Sequence, residues 1–314
     1  MNQILNNPFP YSGDNKRYQT ISWYYKNKYG VKCAKIPLNG GFTCPNRDGT
    51  KGTGGCTFCS TSGSGDTILN FNRSLMEQYT SNLKRARRKW PTAQGIAYFQ
   101  AYTNTYAPLK KLQELFTPFL ENPEVLELSI ATRADCLSQE IINWLASFDK
   151  PVWIELGLQT VHEETSRAIN RCHATWEVAE KVAACRKAGL KTCVHLMNGL
   201  PGETRKMMVE TARQTAIMHP DAVKIHMLHL IENTRMAEDW KKHPFPLLSE
   251  EQYVQIVCDQ LEVLPADIII ERLTGDGVQS DLVGPLWTAK KTITINDIDK
   301  ELVRRDSWQG KLAK

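Results

Sequence analysis

The sequence predicts an α/β fold: a partial or full parallel (β/α)6 TIM-like barrel with an N-terminal arm and a C-terminal extension. Two observations predict it. Short apolar runs alternate six times with amphipathic stretches of helical period. Three of those runs also carry polar residues at alternate positions, as strands do when one face packs on helices and the other lines a cavity.

Residues 1–30 are polar and aromatic and are expected to form an arm or small cap. Strands are expected over 31–36, 96–101, 125–132, 152–157, 192–198 and 222–230. The first helix begins at Ser74, where Glu77 completes a capping box and Leu75, Tyr79, Leu83 and Trp90 share one face. Further helices are expected over 109–120, 138–148, 175–187 (stopped by Gly189) and 203–218. A sixth opens at Ser249 with Gln252 as its capping partner. Strand and helix in alternation imply a parallel sheet, which right-handed crossovers curl toward a barrel. Residues 31–265 form the expected barrel core. After about Pro265 the rhythm breaks, and 266–314 reads as an extension packed on that core.

The 314 residues are 41% hydrophobic and 23% charged, enough apolar material for one large core. The net charge of +5 permits an acidic partner without requiring one. Nine cysteines, scattered and odd in number, do not suggest a disulfide framework in a chain of this size. The N-terminus lacks a basic start and apolar core, and no run approaches the length of a membrane helix. Reduced thiols, a cytoplasmic location and no membrane contact are therefore expected.

Strand alternation sorts the later runs by face. Ile154, Leu156, Leu158, Val194, Leu196, Val223, Ile225 and Met227 form the set that meets helices. Glu155, Gln159, Cys193, His195, Lys224 and His226 form the other set and are expected to point inward. Burying so many polar groups is costly unless they are partnered or solvate a ligand, so a polar cavity is expected.

The run CPNRDGTKGTGGCTFCS holds Cys44, Cys56 and Cys59. The C-x2-C pair places two thiolates on one tight turn, and a third arrives across a glycine-rich loop. No fourth Cys or His lies nearby to close a tetrahedral site. Three soft ligands with an open position suit an iron–sulfur cluster whose last iron binds something else. Zinc with a distant fourth ligand, in a non-catalytic protein, is the alternative.

With this loop placed after the first strand, the sequence resembles the radical S-adenosylmethionine (SAM) enzymes. Within them it is similar to the branch of the Elongator catalytic subunit and oxygen-independent coproporphyrinogen dehydrogenase, and most of all to a family of short bacterial radical SAM proteins. The segments that carry the resemblance are GGFTCPNRDGTKGTGGCTFCS, AYFQAYTNTYAP, LSIATRADCL, ELGLQTVHEETSRAINRCH, HLMNGLPGET, KIHMLHLIENT and RLTGDG. Eleven residues separate the first two cysteines, a longer spacing than the commonest one in the family.

The resemblance implies that Cys44, Cys56 and Cys59 hold a [4Fe–4S] cluster and that SAM chelates its open iron. It implies reductive cleavage of SAM to a 5′-deoxyadenosyl radical, which abstracts hydrogen from a substrate. Phe58 would lie against the adenine. Gln100, Ala101, Tyr102 and Thr103 stand where relatives carry a glycine-rich motif that meets the methionine amino group. Gln159 would contact the nucleoside or the methionine part, and Arg171 the methionine carboxylate. His195 stands where relatives often place an Asp toward the ribose. Gly199, Leu200 and Pro201 would line the adenine site. Cys193 is a candidate hydrogen-atom donor or substrate-side group, or simply a small core residue.

An electron donor such as flavodoxin or ferredoxin is implied by the same chemistry. RNA, by analogy a tRNA wobble uridine, is one substrate expectation. It draws on the basic run Lys84–Trp90 and on Trp23, Tyr24, Tyr25, Lys26 and Lys28, since basic and aromatic residues suit phosphates and bases. A small metabolite or a partner protein is the other.

Overall fold

Seven parallel strands, one more than expected, form the central sheet of the computed structural model, which describes residues 7–66, 68, 72–275 and 279–313. In chain order the elements are α1 (Ile21–Tyr29), β1 (Cys33–Leu38), α2 (Leu75–Lys89), β2 (Gln94–Phe99), α3 (Leu109–Leu120), β3 (Val125–Thr132) and α4 (Gln139–Leu145). Then come β4 (Val152–Gln159), α5 (Glu163–Ala168), α6 (Thr175–Lys187), β5 (Lys191–Asn198), α7 (Arg205–Ile217), β6 (Ala222–Met227), β7 (Leu230–Ile231) and α8 (Arg235–Lys242). The chain ends with α9 (Glu250–Val263), β8 (Ile269–Arg272), β9 (Leu282–Gly284) and α10 (Lys291–Arg304).

The spatial order β1-β2-β3-β4-β5-β6-β8 follows the chain, so each crossover adds its strand at the same growing edge. The sheet curls into a partial barrel with β1 and β8 as its edges. The six-strand expectation is corrected by β8: residues 269–272 pair with Ala222, Val223 and Lys224 of β6. That strand is short and carries Glu and Arg, so apolar periodicity alone passes over it.

Local signals set most boundaries. The Ser74–Glu77 and Ser249–Gln252 capping boxes both form. On β4, Ile154, Leu156 and Leu158 are buried in the main core against the helices, together with Val194, Leu196, Val223 and Ile225. The alternate residues turn inward.

Helix α1 is a stopper at the barrel's foot and not a free arm. Lys28 Nζ and Tyr29 Oη both donate to the Glu127 carboxylate at 2.6 Å, and Trp153 Nε1 donates to it at 2.7 Å. Tyr24 meets Trp153 edge-on with ring centroids 6.1 Å apart. Glu127 and Trp153 lie near the N-terminal ends of their strands. The basic run lies at the same end: it closes α2 just before β2 begins, and Lys32 Nζ lies 5.2 Å from the centre of the Trp90 ring. At the opposite end, β7 and β9 pair antiparallel as a short ribbon beside the strand C-termini. Among the described residues no helix is long and apolar enough to cross a membrane.

Candidate active site

The cysteine loop leaves the C-terminal end of β1 and is fastened to the barrel by the turn after α5. Asn170 and Cys172 both adopt left-handed backbone there, with φ of 54° and 57°. Asn170 Nδ2 donates to the carbonyls of Thr53 (3.1 Å) and Gly55 (2.8 Å). Asn46 Nδ2 donates to the Asn170 carbonyl at 2.5 Å and lies 3.7 Å from Cys56 Sγ. Gly52 is required by this closeness: a Cβ there would stand 2.2 Å from Asn46 Oδ1 and 3.0 Å from Cys172 Sγ. Thr57 N donates to the Ile169 carbonyl at 3.0 Å, and Arg47 Nη2 holds the carbonyls of Cys59 and Ser60.

The cysteine donor set fits a cluster better than one ion. Among the described residues, one trio of ligand-type atoms lies within 4.8 Å of one another: Glu155, Cys193 and His195. Cys44, Cys56 and Cys59 do not all lie within that distance of one another, which suits ligands of different irons better than ligands of one zinc. Burial and the neighbouring Cys59 charge push the Cys56 thiol up to about 12, and burial raises Cys59 as well. Thiols so crowded give up their protons to a bound cation.

Arg133, at the end of β3, lies beside these cysteines and borders the cavity. Its Nε and Nη2 each donate to Asp135 at 2.9 Å, while Nη1 and Nη2 donate to the carbonyls of Arg171 (2.8 Å) and Cys172 (3.1 Å). Lys51 of the cysteine loop reaches Asp135 at 3.3 Å. The carboxylate of Asp135 thus joins the loop, β3 and the α5 turn.

Below the loop is a cavity of about 310 Å³. Its floor is an ion network. Glu155, fully buried, accepts from Lys35 Nζ (2.6 Å), Ser129 Oγ (2.5 Å), His195 Nε2 (2.8 Å) and Lys224 Nζ. Glu271 accepts from Lys35 and pairs with Lys224 at 3.1 Å. Burial alone would raise the Glu155 carboxyl, but Lys224 and Lys35 hold it well below the usual range. Burial, then the Lys224 charge, lowers the His195 pKa and keeps the ring neutral. With Nε2–H donated to an ionised carboxylate, the Nδ1 of His195 is left as an acceptor. Two ammonium groups on Glu155 argue against a metal in the Glu155–Cys193–His195 trio, because every carboxylate direction is already taken.

The expected inward set is placed as the alternation required: Glu155, Gln159, His195, Lys224 and His226 border the cavity. So do Phe58, Cys59, Gln100 and Tyr102. The other expected site residues do not border the cavity. Arg171 is fully buried and its guanidinium is committed to the carbonyls of Leu158, Thr160 (2.6 Å) and His173 (3.0 Å) and to Thr175 Oγ1 (3.2 Å). It anchors the clasping turn to the end of β4 and does not border the cavity. Cys193 is fully buried in a cluster with Trp153, Ala222 and Ile269, beneath the floor. Ala101 and Thr103 are buried behind the wall, and Gly199 and Leu200 stand back from the cavity, Leu200 in the apolar cluster that also receives Phe58.

Lys35, Tyr98, Arg133 and Glu271 are site residues to which sequence reasoning assigned no role. Tyr98 had a signal, since it shares the face of Gln100 in QGIAYFQ. Lys35 and Glu271 had little, because each belongs to a short strand at an edge. In RLTGDG, Gly275 borders the cavity, whereas Asp276 and Gly277 lie outside the described residues.

A three-thiolate loop at the C-terminal mouth of a parallel partial barrel, over a polar cavity, defines a SAM-dependent radical enzyme. The chain belongs to the radical SAM superfamily: the superfamily profile matches residues 44–215, and the Radical SAM C-terminal domain matches 220–304. It is 46% identical over 310 residues to the uncharacterized protein YtqA of Bacillus subtilis, covering 98% of this chain and 96% of that one. A tRNA uridine(34) acetyltransferase of Methanocaldococcus infernus is 29% identical over 153 residues, 48% of this chain and 28% of that one. Among solved structures, Methanocaldococcus infernus Elp3 superposes with a TM-score of 0.69 at 18% identity, over 88% of this chain and 64% of that one. That likeness is one of fold.

Proposed function

We propose that Cys44, Cys56 and Cys59 hold a [4Fe–4S] cluster, that SAM is cleaved reductively beside it, and that hydrogen is abstracted from a substrate in the cavity. The observation that carries this reading is the loop of Cys44, Cys56 and Cys59 fastened at the mouth of a cavity that Phe58 and Cys59 border. Bound there, cluster and SAM supply the radical that starts the reaction. The chain's own residues bind and orient. Phe58 offers an apolar face to the adenine, the Nδ1 of His195 accepts from a ribose hydroxyl, and Gln100, Tyr102 and Gln159 border the same space. Arg133, beside the cysteines and paired with Asp135, holds the clasping turn against the cluster loop. The walls and the β7–β9 ribbon exclude water from a reactive carbon centre.

A flavodoxin- or ferredoxin-type donor delivers the electron. For the substrate we favour a compact polar metabolite, because both basic segments lie at the foot of the barrel. They are separated from the cysteine loop by a strand length of about 20 Å. A tRNA nucleoside is the second reading, supported by similarity over half the chain to a protein named for tRNA uridine(34).

The test is anaerobic reconstitution with iron and sulfide, followed by dithionite and SAM. A [4Fe–4S] spectrum and release of 5′-deoxyadenosine are expected, both lost in a C44A/C56A/C59A chain. A cluster without nucleoside release overturns the enzymatic reading, and a colourless, air-stable protein holding one zinc overturns the cluster.

A further inference from the structure

We propose that Tyr98 is the hydrogen-atom donor of this site, its phenolic O–H returning hydrogen to a carbon radical formed in the cavity. The proposal rests on the radical reading above. A carbon radical in the cavity is quenched by a weak X–H bond within reach, and among side chains thiols and phenols offer the weakest. Cys193, a candidate donor or a small core residue by sequence, is a core residue beneath the ion network. Cys59 is a cluster ligand. Two tyrosines border the cavity, Tyr98 and Tyr102. Tyr102 Oη donates its hydrogen to the Thr61 carbonyl. The Tyr98 hydroxyl is bonded differently. Its partner is the Lys224 ammonium, which donates to it at 3.4 Å, and no acceptor for its own hydrogen is found among the described residues. The Tyr98 side chain borders the cavity, so its free hydroxyl rotor can present that hydrogen there.

The setting of the ring favours transfer of an atom over loss of an electron. Lys35 Nζ stands 5.1 Å and Lys224 Nζ 4.6 Å from the centre of the Tyr98 ring. Two ammonium groups at the ring make a radical cation costly. Removal of a whole hydrogen atom leaves a neutral phenoxyl and escapes that cost.

The step balances. The substrate carbon radical and Tyr98–OH become substrate C–H and Tyr98–O•, with one O–H bond broken homolytically and one C–H bond formed. The phenoxyl is reduced by one electron from the same low-potential one-electron donor that serves the cluster. The resulting phenolate, flanked by Lys35 and Lys224, takes a proton from the Lys224 ammonium, and solvent restores that proton.

The experiment needs no substrate. Reconstituted holoenzyme is given SAM and dithionite in D2O, where hydroxyls and thiols carry deuterium and carbon-bound hydrogens do not. We expect the 5′-deoxyadenosine from the unmodified chain to gain one deuterium. We expect Tyr98→Phe, with its iron content retained, to yield nucleoside without it, and Cys193→Ala to retain it. A second measurement avoids substitution altogether. The organic radical frozen during turnover should show an EPR signal that narrows when the chain is made with ring-deuterated tyrosine. Unlabelled nucleoside from the unmodified chain, or labelled nucleoside from Tyr98→Phe, overturns the proposal. Absence of any 5′-deoxyadenosine overturns the radical reading itself, a result distinct from unlabelled nucleoside.

Discussion

Lys35 on the first strand of the sheet and Glu271 on the last form an ion pair across the gap where backbone pairing stops. Strands β1 and β8 do not pair with each other. Their side chains meet instead inside the barrel, through Glu155 and Lys224 as well as directly. The same four residues therefore close the barrel and floor the cavity. Fold and site share one network, so damage to it is felt in both.

Glu155→Gln should be strongly destabilising. It keeps the shape of the side chain but leaves Lys35 and Lys224 sharing only Glu271. Breaking a buried pair by removing one partner costs about 3–5 kcal/mol. Urea denaturation of the cluster-free chain measures this. A loss within experimental error of zero would show that water, and not Glu155, compensates the lysines.

Arg171→Gln should act on the loop before it acts on the ligand. Each buried carbonyl left without its donor costs about 1–3 kcal/mol. The expected outcome is a lower melting temperature and weaker iron retention. A variant that melts as the parent does while losing SAM affinity would restore Arg171 to the carboxylate-binding role.

Acid should loosen the clasp through His173. Burial, then the charges of Arg133 and Arg171, lowers its pKa from 6.5 to about 4. Between those values the unfolded chain binds a proton that the folded chain does not. This contribution to stability is therefore complete above about pH 6.5 and is lost progressively as pH falls toward about 4. Comparing unfolding free energies across that window, with His173→Gln as the reference, isolates it. The parent should show the steeper loss, and equal slopes would reject the assignment.

Replacing Arg85, Arg87 and Arg88 with Ala should leave 5′-deoxyadenosine formation unchanged, since all three are exposed at the foot of the barrel. If the substrate is a tRNA, the triple variant also loses salt-dependent RNA binding. A fall in nucleoside formation without RNA present would place the run closer to the chemistry than the fold does.

Much of this was legible in the chain. Alternation in VWIELGLQT sent Glu155 and Gln159 inward, and the C-x2-C pair marked the cluster loop. Arg171 shows where such reading stops. The NRCH run marks a conspicuous arginine, but which acceptors surround it depends on where Leu158 and Thr160 end their strand, a relation over more than ten residues. Cys193 shows the same limit. Its inward direction was legible, yet its depth below the floor was not, because depth depends on the register of β4, β6 and β8 around it.

By itself the sequence determined the strand–helix rhythm, the polar face of the barrel and the loop that carries Cys44, Cys56 and Cys59. Each of these is a local pattern, set by chain geometry of period two or 3.6 or by spacing along one loop. The tertiary structure alone decided that Lys35 and Glu271 close the barrel, that Arg171 fastens a turn, and that Tyr98 meets Lys224 beside the cavity. Those outcomes depend on which donors and acceptors meet across distant strands, and no residue carries that information without its neighbours in space.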